Sequence, residues 1–337
     1  MILVTGATGI LGRVIVLELL KRGKTVRATK RKSSNLQEVR KSFQFYTETP
    51  NEYFDSIEWI EVDFEDIHSL QNALNGVEEV YHCAAKVSFH PKDEKKMYQT
   101  NIEGTKQLLF ACQNSSVKKF LFVSSIAVLD GLNENGELDE SSDFNLKIDH
   151  SAYAISKHFS EMEVWRASAE GLNTVIVNPG LIIGSGNWKE SSGTLFMEFE
   201  KNDYTFSGGT SYVDVRDVAQ ISIELMEKNI FGERFILVSE SAKYEEIGNL
   251  IRQKLGKSPM KLLPNVVLKV GFYLNLLFGW LFSPLKMANK VNIKSVTEFN
   301  KISNKKIKEK LNYEFIPLEE SLAFHLENYK KDKNFNK

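Results

Sequence analysis

Thr5-Gly6-Ala7-Thr8-Gly9-Ile10-Leu11-Gly12 follows the apolar run Ile2-Leu3-Val4 and opens an amphipathic stretch from Ile10 to Arg22. In that stretch Ile10, Leu11, Val14, Val16, Leu17 and Leu20 share one helix face. A β-rich run, glycines at G-x-x-G-x-x-G spacing and a helical pattern predict a strand, a tight turn and a helix in succession. Glycines at such a turn permit a sharp bend and bring backbone N–H groups onto a pyrophosphate. They also let the helix pack close to the strand. Thr5, Gly6, Thr8, Gly9, Ile10, Leu11 and Gly12 are therefore candidates for holding a dinucleotide. Their spacing is one residue longer than the common G-x-G-x-x-G form.

Outward from this loop the pattern repeats. Thr25 to Thr29, Trp59 to Val62, Val77 to His82, Phe120 to Ser124 and Thr174 to Asn178 are rich in β-branched or aromatic residues and read as strands. Gly23 supplies a helix stop, and Asp66 can cap a helix from Ile67 to Leu74 that ends at Gly76. Strand then helix, repeated, implies an α/β doubly wound parallel sheet of the Rossmann type. After Pro179 the periodicity fades through a Gly/Ser-rich stretch to Gly209. Tyr212 to Glu227 then reads as a helix and Arg234 to Val238 as a strand returning to the sheet. The expected division is a dinucleotide-binding domain from residues 1–179 plus about 211–239. Residues from about 180–210 plus 240–337 would make a smaller, mainly helical substrate-binding domain over the carboxyl ends of the strands.

Composition excludes several classes. The 337 residues include 43 Lys+Arg and 44 Asp+Glu, and 42% are apolar, so disorder and nucleic-acid binding driven by bulk charge are disfavoured. Cys83 and Cys112 alone provide no disulfide framework, and the histidines show no metal-ligand spacing on a helix face, so no metal is expected. The first residues start directly as a strand and lack signal-peptide character, which gives an expectation of a cytoplasmic protein.

Taken together, these motifs resemble the extended short-chain dehydrogenase/reductase family, which includes nucleotide-sugar epimerases and dehydratases, over nearly the whole chain. The loop TGxxGxxG of that family binds NAD or NADP. The resemblance implies that Asp63, followed by Phe64, contacts adenine and that Ala84-Ala85 lies against the cofactor. It also implies that Asn178-Pro179-Gly180 passes the nicotinamide, and that Asn101 with Gly104-Thr105 forms the helix behind it. Asp63 can alternatively be a local turn former. After the second strand, Lys30-Arg31-Lys32-Ser33 carries no carboxylate to hold a ribose hydroxyl, which favours NADP(H) over NAD(H). The stretch is similar to that of dihydroflavonol 4-reductases, and Arg31 matches the arginine that holds the 2′-phosphate there. Arg13, in the first turn of the first helix, is a second candidate for that phosphate.

Tyr153-Ala154-Ile155-Ser156-Lys157 matches the Tyr-x-x-x-Lys pair of the family. The same spacing recurs at Tyr329 and Lys333, but only Tyr153 and Lys157 fall on a helix directly preceding a strand of the sheet. A lysine ammonium and an oxidised nicotinamide nearby would lower the phenol pKa toward the working range. Phe122-Val123-Ser124-Ser125-Ile126 resembles the Ser-Ser-Ile segment of 3β-hydroxysteroid dehydrogenases. Ser125 matches the catalytic serine, with Ser124 the competitor if the alignment slips by one and a residue beside the cofactor otherwise. Ile126 and Ala127 stand where dehydratases carry an acidic pair, which disfavours water elimination. Ser125, Tyr153 and Lys157 thus point to reduction of a carbonyl, or oxidation of the matching alcohol, on a hydrophobic small molecule. Val87, Ser88, Phe89 and Trp188 are expected to line its pocket. A nucleotide-sugar epimerase retaining NAD and a non-catalytic NADP-binding sensor are the alternatives. A homodimer is the assembly that the resemblance implies.

Val266 to Phe282 holds seventeen residues of which only Lys269 and Asn275 are strongly polar. The first reading is a helix roofing the substrate pocket and buried on all sides. A peripheral membrane contact is the second, because residues 284–337 carry twelve lysines against seven acids, and a membrane span, for which the stretch is slightly short, is the third.

Overall fold

In the computed structural model, which describes residues 1–188 and 191–335, the six β-rich runs before Pro179 are all strands. They are β1 (Ile2–Thr5), β2 (Val26–Lys30), β3 (Glu58–Glu61), β4 (Glu79–His82), β5 (Lys119–Val123) and β6 (Asn173–Pro179). Beyond them lie β7 (Leu181–Ile183), β8 (Tyr204–Thr205), β9 (Gly209–Asp214), β10 (Glu233–Leu237), β11 (Glu240–Lys243) and β12 (Lys261–Leu262). The main sheet runs β3-β2-β1-β4-β5-β6-β10 with every neighbouring pair parallel. The strand order reverses between β1 and β4, so the connections after these strands diverge at their carboxyl ends and leave a crevice.

The crossovers carry α1 (Ile10–Lys21), α2 (Leu36–Phe43), α3 (Pro50–Asp55), α4 (Ile67–Ala73), α5 (Glu94–Tyr98), α6 (Gly104–Gln113) and α7 (Ala152–Ala169). Local chemistry sets their ends. Gly23 adopts φ +71° and Gly76 φ +72° where helices stop. The Asp66 carboxylate accepts from the His68 N–H, and the Ser151 hydroxyl from the Ala154 N–H. One face of the sheet buries Val14, Leu17, Val218 and Ile221 against β1 and β6, and the other buries Leu70, Leu108 and Val164.

The chain continues through α8 (Leu195–Lys201), α9 (Val215–Glu227), α10 (Tyr244–Lys254), α11 (Asn265–Phe278), α12 (Lys290–Thr297), α13 (Lys305–Leu311) and α14 (Leu318–Phe335). A further buried cluster joins Ile183, Phe196, Tyr212, Ile251, Leu322 and Leu326. Here the sequence reading needs correction. Tyr212 to Asp214 are not helical but end β9, which pairs antiparallel with β11 and parallel with β7. The helix starts only at Val215, because the Asp214 carboxylate accepts from the Arg216 N–H and caps it. The region after Ser239 also contains strands, β11 and β12, among its helices.

The expectation for the apolar stretch is overturned. No residue of α11 is buried, and Val266, Leu277 and Trp280 are 68%, 64% and 79% exposed. The helix packs on the following turn, with Asn275 Nδ2 donating to the Ala288 carbonyl at 3.4 Å, and no residue of 261–301 belongs to a buried apolar cluster. Among the described residues no helix is long and apolar enough to cross a membrane.

Candidate active site

Because the strands are parallel, the segments following β1, β3, β4, β5 and β6 emerge on one edge of the sheet, and most of the candidate residues lie there. Gly6 adopts φ +64°, and a Cβ on it would lie 2.6 Å from the Ala84 nitrogen. A Cβ on Gly12 would strike the Gly6 carbonyl. The Gly9 N–H closes the turn on that same carbonyl at 2.9 Å. Gly9 is the N-cap of α1 and brings no side chain, so the first helical turn, Ile10 to Gly12, is left without a capping group. Backbone donors facing a glycine-lined crevice fit the pyrophosphate of a dinucleotide.

The loop is fixed from beneath by a buried chain of hydrogen bonds. Thr5 Oγ1 lies 2.7 Å from His82 Nδ1, and His82 Nε2 lies 2.9 Å from Thr105 Oγ1. Burial lowers His82 to about 3, so the imidazole is neutral. Thr5 Oγ1 also accepts from the Ala84 N–H, tying the end of β1 to the Ala84-Ala85 segment. Phe64 stands 5.8 Å from the His82 ring and backs onto Gly104. Asn101 sits in a π-helical turn at Gln99–Glu103. Its amide holds both the N–H and the carbonyl of Lys86, at 2.7 and 2.9 Å, and also donates to Ser156 on α7.

Ser125 and Tyr153 meet. Burial raises the Tyr153 pKa, and the neighbouring Ser125 hydroxyl opposes it as the smaller effect. Ser125 Oγ additionally accepts from the Ala127 N–H at 3.1 Å, which fixes its rotamer. Ser124 is buried against Glu161, with its N–H on the Val177 carbonyl at 2.7 Å. Lys157 is 3% exposed and donates from Nζ to the Val123 carbonyl at 2.7 Å. Burial pushes it down to about 8, opposed by Cys83 and Glu161. Lys157 is not among the groups that shift Tyr153, whose pKa is raised by burial and lowered by Ser125. The Phe89 ring stands 6.3 Å from that of Tyr153.

Glu161 was not singled out in the sequence, although it lies one helical turn beyond Lys157. It is 1% exposed and accepts from Asn178 Nδ2 at 2.7 Å. The same Nδ2 donates to the Ser125 carbonyl at 3.1 Å. Arg234 lies 3.7 Å away, and burial raises the Glu161 pKa. Pro179 and Gly180 follow at the end of β6, where a Cβ on Gly180 would meet the Ser211 carbonyl.

The remaining candidates are held in other ways. Arg31 is exposed in the turn after β2, its N–H on Ser34 Oγ at 3.0 Å. A carboxylate does approach this turn, since Glu61 at the end of β3 lies 3.6 Å from Lys30. Arg13 cannot serve a phosphate as it stands. It is 1% exposed, bidentate on Glu38 at 2.8 Å and bonded to the Thr8 and Gly9 carbonyls, so it braces the glycine loop. Asp63 forms the local turn given as its alternative reading, Oδ1 accepting from the Glu65 N–H at 2.9 Å. Trp188 packs on Phe196 and Tyr329 with its N–H on Asp332, and is thus committed to the second core.

That core has a polar centre. Ser185 Oγ lies 2.7 Å from His325 Nδ1, and His325 Nε2 lies 3.1 Å from Asp214 Oδ2. All three are fully buried, and Arg216 pairs with the same carboxylate at 2.7 Å. Burial opposes the charge on Asp214, but Arg216 and His325 hold its pKa well below the usual carboxylate range. The Ser-His-Asp order invites comparison with a nucleophilic triad, but without solvent access it is a clamp between β9 and α14.

Residues 2–236 match the sequence model of the NAD dependent epimerase/dehydratase family. The chain is 30% identical over 257 residues to sterol demethylase protein B of Methylococcus capsulatus, covering 75% of this chain and 74% of that protein. It is 27% identical over 266 residues to dihydroflavonol 4-reductase of Arabidopsis thaliana, covering 74% and 68%. Among solved structures, gox2253 superimposes with a TM-score of 0.81 at 24% identity and 98% coverage of both chains, which shows the shared fold.

Proposed function

Since the chain belongs to the NAD dependent epimerase/dehydratase family, we propose that it is an NADP(H)-preferring reductase of a ketone or aldehyde on a hydrophobic small molecule, or the dehydrogenase of the matching alcohol. The observation carrying this reading is the convergence of Ser125, after β5, and Tyr153, on α7, at the same edge of the sheet as the uncapped start of α1.

The residues would divide the work as follows. Gly6, Thr8, Gly9 and the N–H groups of Ile10, Leu11 and Gly12 would hold the pyrophosphate, with Arg31 on a 2′-phosphate. When bound, the dinucleotide supplies or removes a hydride at its nicotinamide ring. Ser125 Oγ would donate to the substrate carbonyl oxygen and hold it in line with the Tyr153 hydroxyl. Tyr153 would pass its proton to that oxygen in reduction and take it back in oxidation. Lys157 would hold the nicotinamide ribose and favour the phenolate. Asn178 and Glu161 would keep the Ser125 backbone in place. Exposed Val87 and Phe89 support an apolar substrate.

The test is NADPH consumption against a panel of ketones and aldehydes, comparing the wild type with Tyr153→Phe. Loss of about a hundredfold or more in turnover with dinucleotide binding retained is expected. Equal rates in the two proteins would overturn the assignment. Tightly held NAD identified by mass spectrometry of the purified protein would favour an epimerase instead.

A further inference from the structure

The exposed apolar segment has no counterpart surface among the described residues. On α11 and the turn after it, Val266, Tyr273, Leu276, Leu277, Trp280 and Phe282 are each 55% or more exposed. An apolar helix is normally buried in protein or in lipid, and a contiguous exposed patch of this kind marks a contact surface. Its charge surroundings say which kind. Residues 257–297 contain six lysines and no acidic residue. Lys261, Lys269 and Lys286 have no carboxylate partner among the described residues, while Lys290 and Lys294 approach Asp149 and Glu298 at 3.5 and 3.8 Å.

We propose that residues 265–287 dock this protein on the surface of an anionic phospholipid bilayer. The apolar side chains would enter the boundary between headgroups and acyl chains, and the surrounding lysines would meet the lipid phosphates. The fourteen residues of α11 are too few to span, and its all-round apolar character suits shallow insertion. A face ringed by cations is matched by an anionic surface and repelled by an identical copy of itself.

The docking element also adjoins the catalytic cleft. Ser283 Oγ lies 3.1 Å from His90 Nε2, and Asn292 Nδ2 donates to the Phe89 carbonyl at 3.2 Å. Phe89 in turn packs at Tyr153. If Tyr153 is the proton donor proposed above, the cleft opens beside the bilayer and the carbonyl compound it takes is one that partitions into lipid.

Co-flotation of the full chain with phosphatidylcholine vesicles, with and without phosphatidylserine, tests the docking independently of any turnover. Binding roughly tenfold stronger to the anionic vesicles, and weakened by added salt, is expected. The double variant Leu277→Glu/Trp280→Glu, whose side chains face solvent, is expected to lose flotation while keeping its far-UV circular dichroism melt. Lys261→Glu/Lys269→Glu is expected to lose the anionic preference. No flotation of the wild type would overturn the proposal, as would equal binding to both vesicle types. So would a concentration-dependent dimer that the double variant abolishes, since a second copy would then cover the face. Where turnover is found, anionic vesicles are expected to lower KM for a lipid-partitioning ketone several-fold in the wild type and not in the double variant.

Discussion

Lys157 Nζ donates to the main-chain carbonyl of Val123 at 2.7 Å, so the end of β5 holds the ammonium. Burial has lowered its pKa from 10.5 to about 8. Below pH 8 folded and unfolded chains both hold the proton, and the full cost of burying the charge is present. Between about 8 and 10.5 the folded protein has released a proton that the unfolded chain keeps, so stability rises with pH. Urea melts of the wild type and Lys157→Met should therefore diverge in favour of the wild type by on the order of 2 kcal/mol from neutral pH to about pH 10. A difference independent of pH would mean that the lysine titrates normally. The kcat/KM for NADPH, which reports the free enzyme, should fall as pH rises through about 8.

The two adjacent serines separate by where they point. Ser125→Ala should reduce kcat/KM for carbonyl reduction by roughly a hundredfold, with little change in melting temperature. Ser124→Ala should cost less than about tenfold, because Ser124 is buried beneath the cleft. Steady-state kinetics on both variants decides it, and a larger loss at Ser124 would exchange their roles.

The glycine loop offers a contrast between space and strain. Gly12→Ala puts a methyl group into the Gly6 carbonyl, and Gly6→Ala adds a positive φ to a clash with Ala84. Both should weaken NADPH binding by roughly a hundredfold or more as measured by titration calorimetry. Gly23→Ala has the same left-handed strain, φ +71°, in open space. It should lower stability by about 1 kcal/mol and leave binding unchanged.

The two arginines near the dinucleotide loop should fail in different ways. Arg31→Ala should reduce the preference for NADPH over NADH by roughly tenfold without changing the melting temperature. Arg13→Met removes a buried cation from the part-exposed Glu38 and from two loop carbonyls, and should destabilise by about 1–2 kcal/mol. An Arg13→Met protein of normal stability with an altered cofactor ratio would restore it as the phosphate ligand.

Much of this was legible because parallel strands and their crossovers carry strong local signals. The runs at Ile2, Thr25, Phe120 and Thr174 each became a strand of the main sheet. The cap at Asp66 and the stop at Gly23 depend only on neighbouring residues. What was not legible depends on partners distant in sequence. Tyr212 to Asp214 is a strand because β7 and β11 flank it. Arg13 turned away from solvent because Glu38 waits 25 residues on. The apolar content of α11 predicts a need for cover, and the described residues supply none.

The Ser185, His325 and Asp214 clamp has a consequence for biosynthesis. The seventh strand of the main sheet is complete at Leu237, yet the hydrophobic surface of Ile183, Phe196 and Tyr212, joined by Ile247, Ile251 and Met260, gains its last members only with Leu318, Leu322, Leu326 and Tyr329. A nascent chain emerging from the ribosome therefore carries a finished main sheet beside an apolar face that is incomplete until α14 is made, and such exposed apolar surface is prone to aggregate.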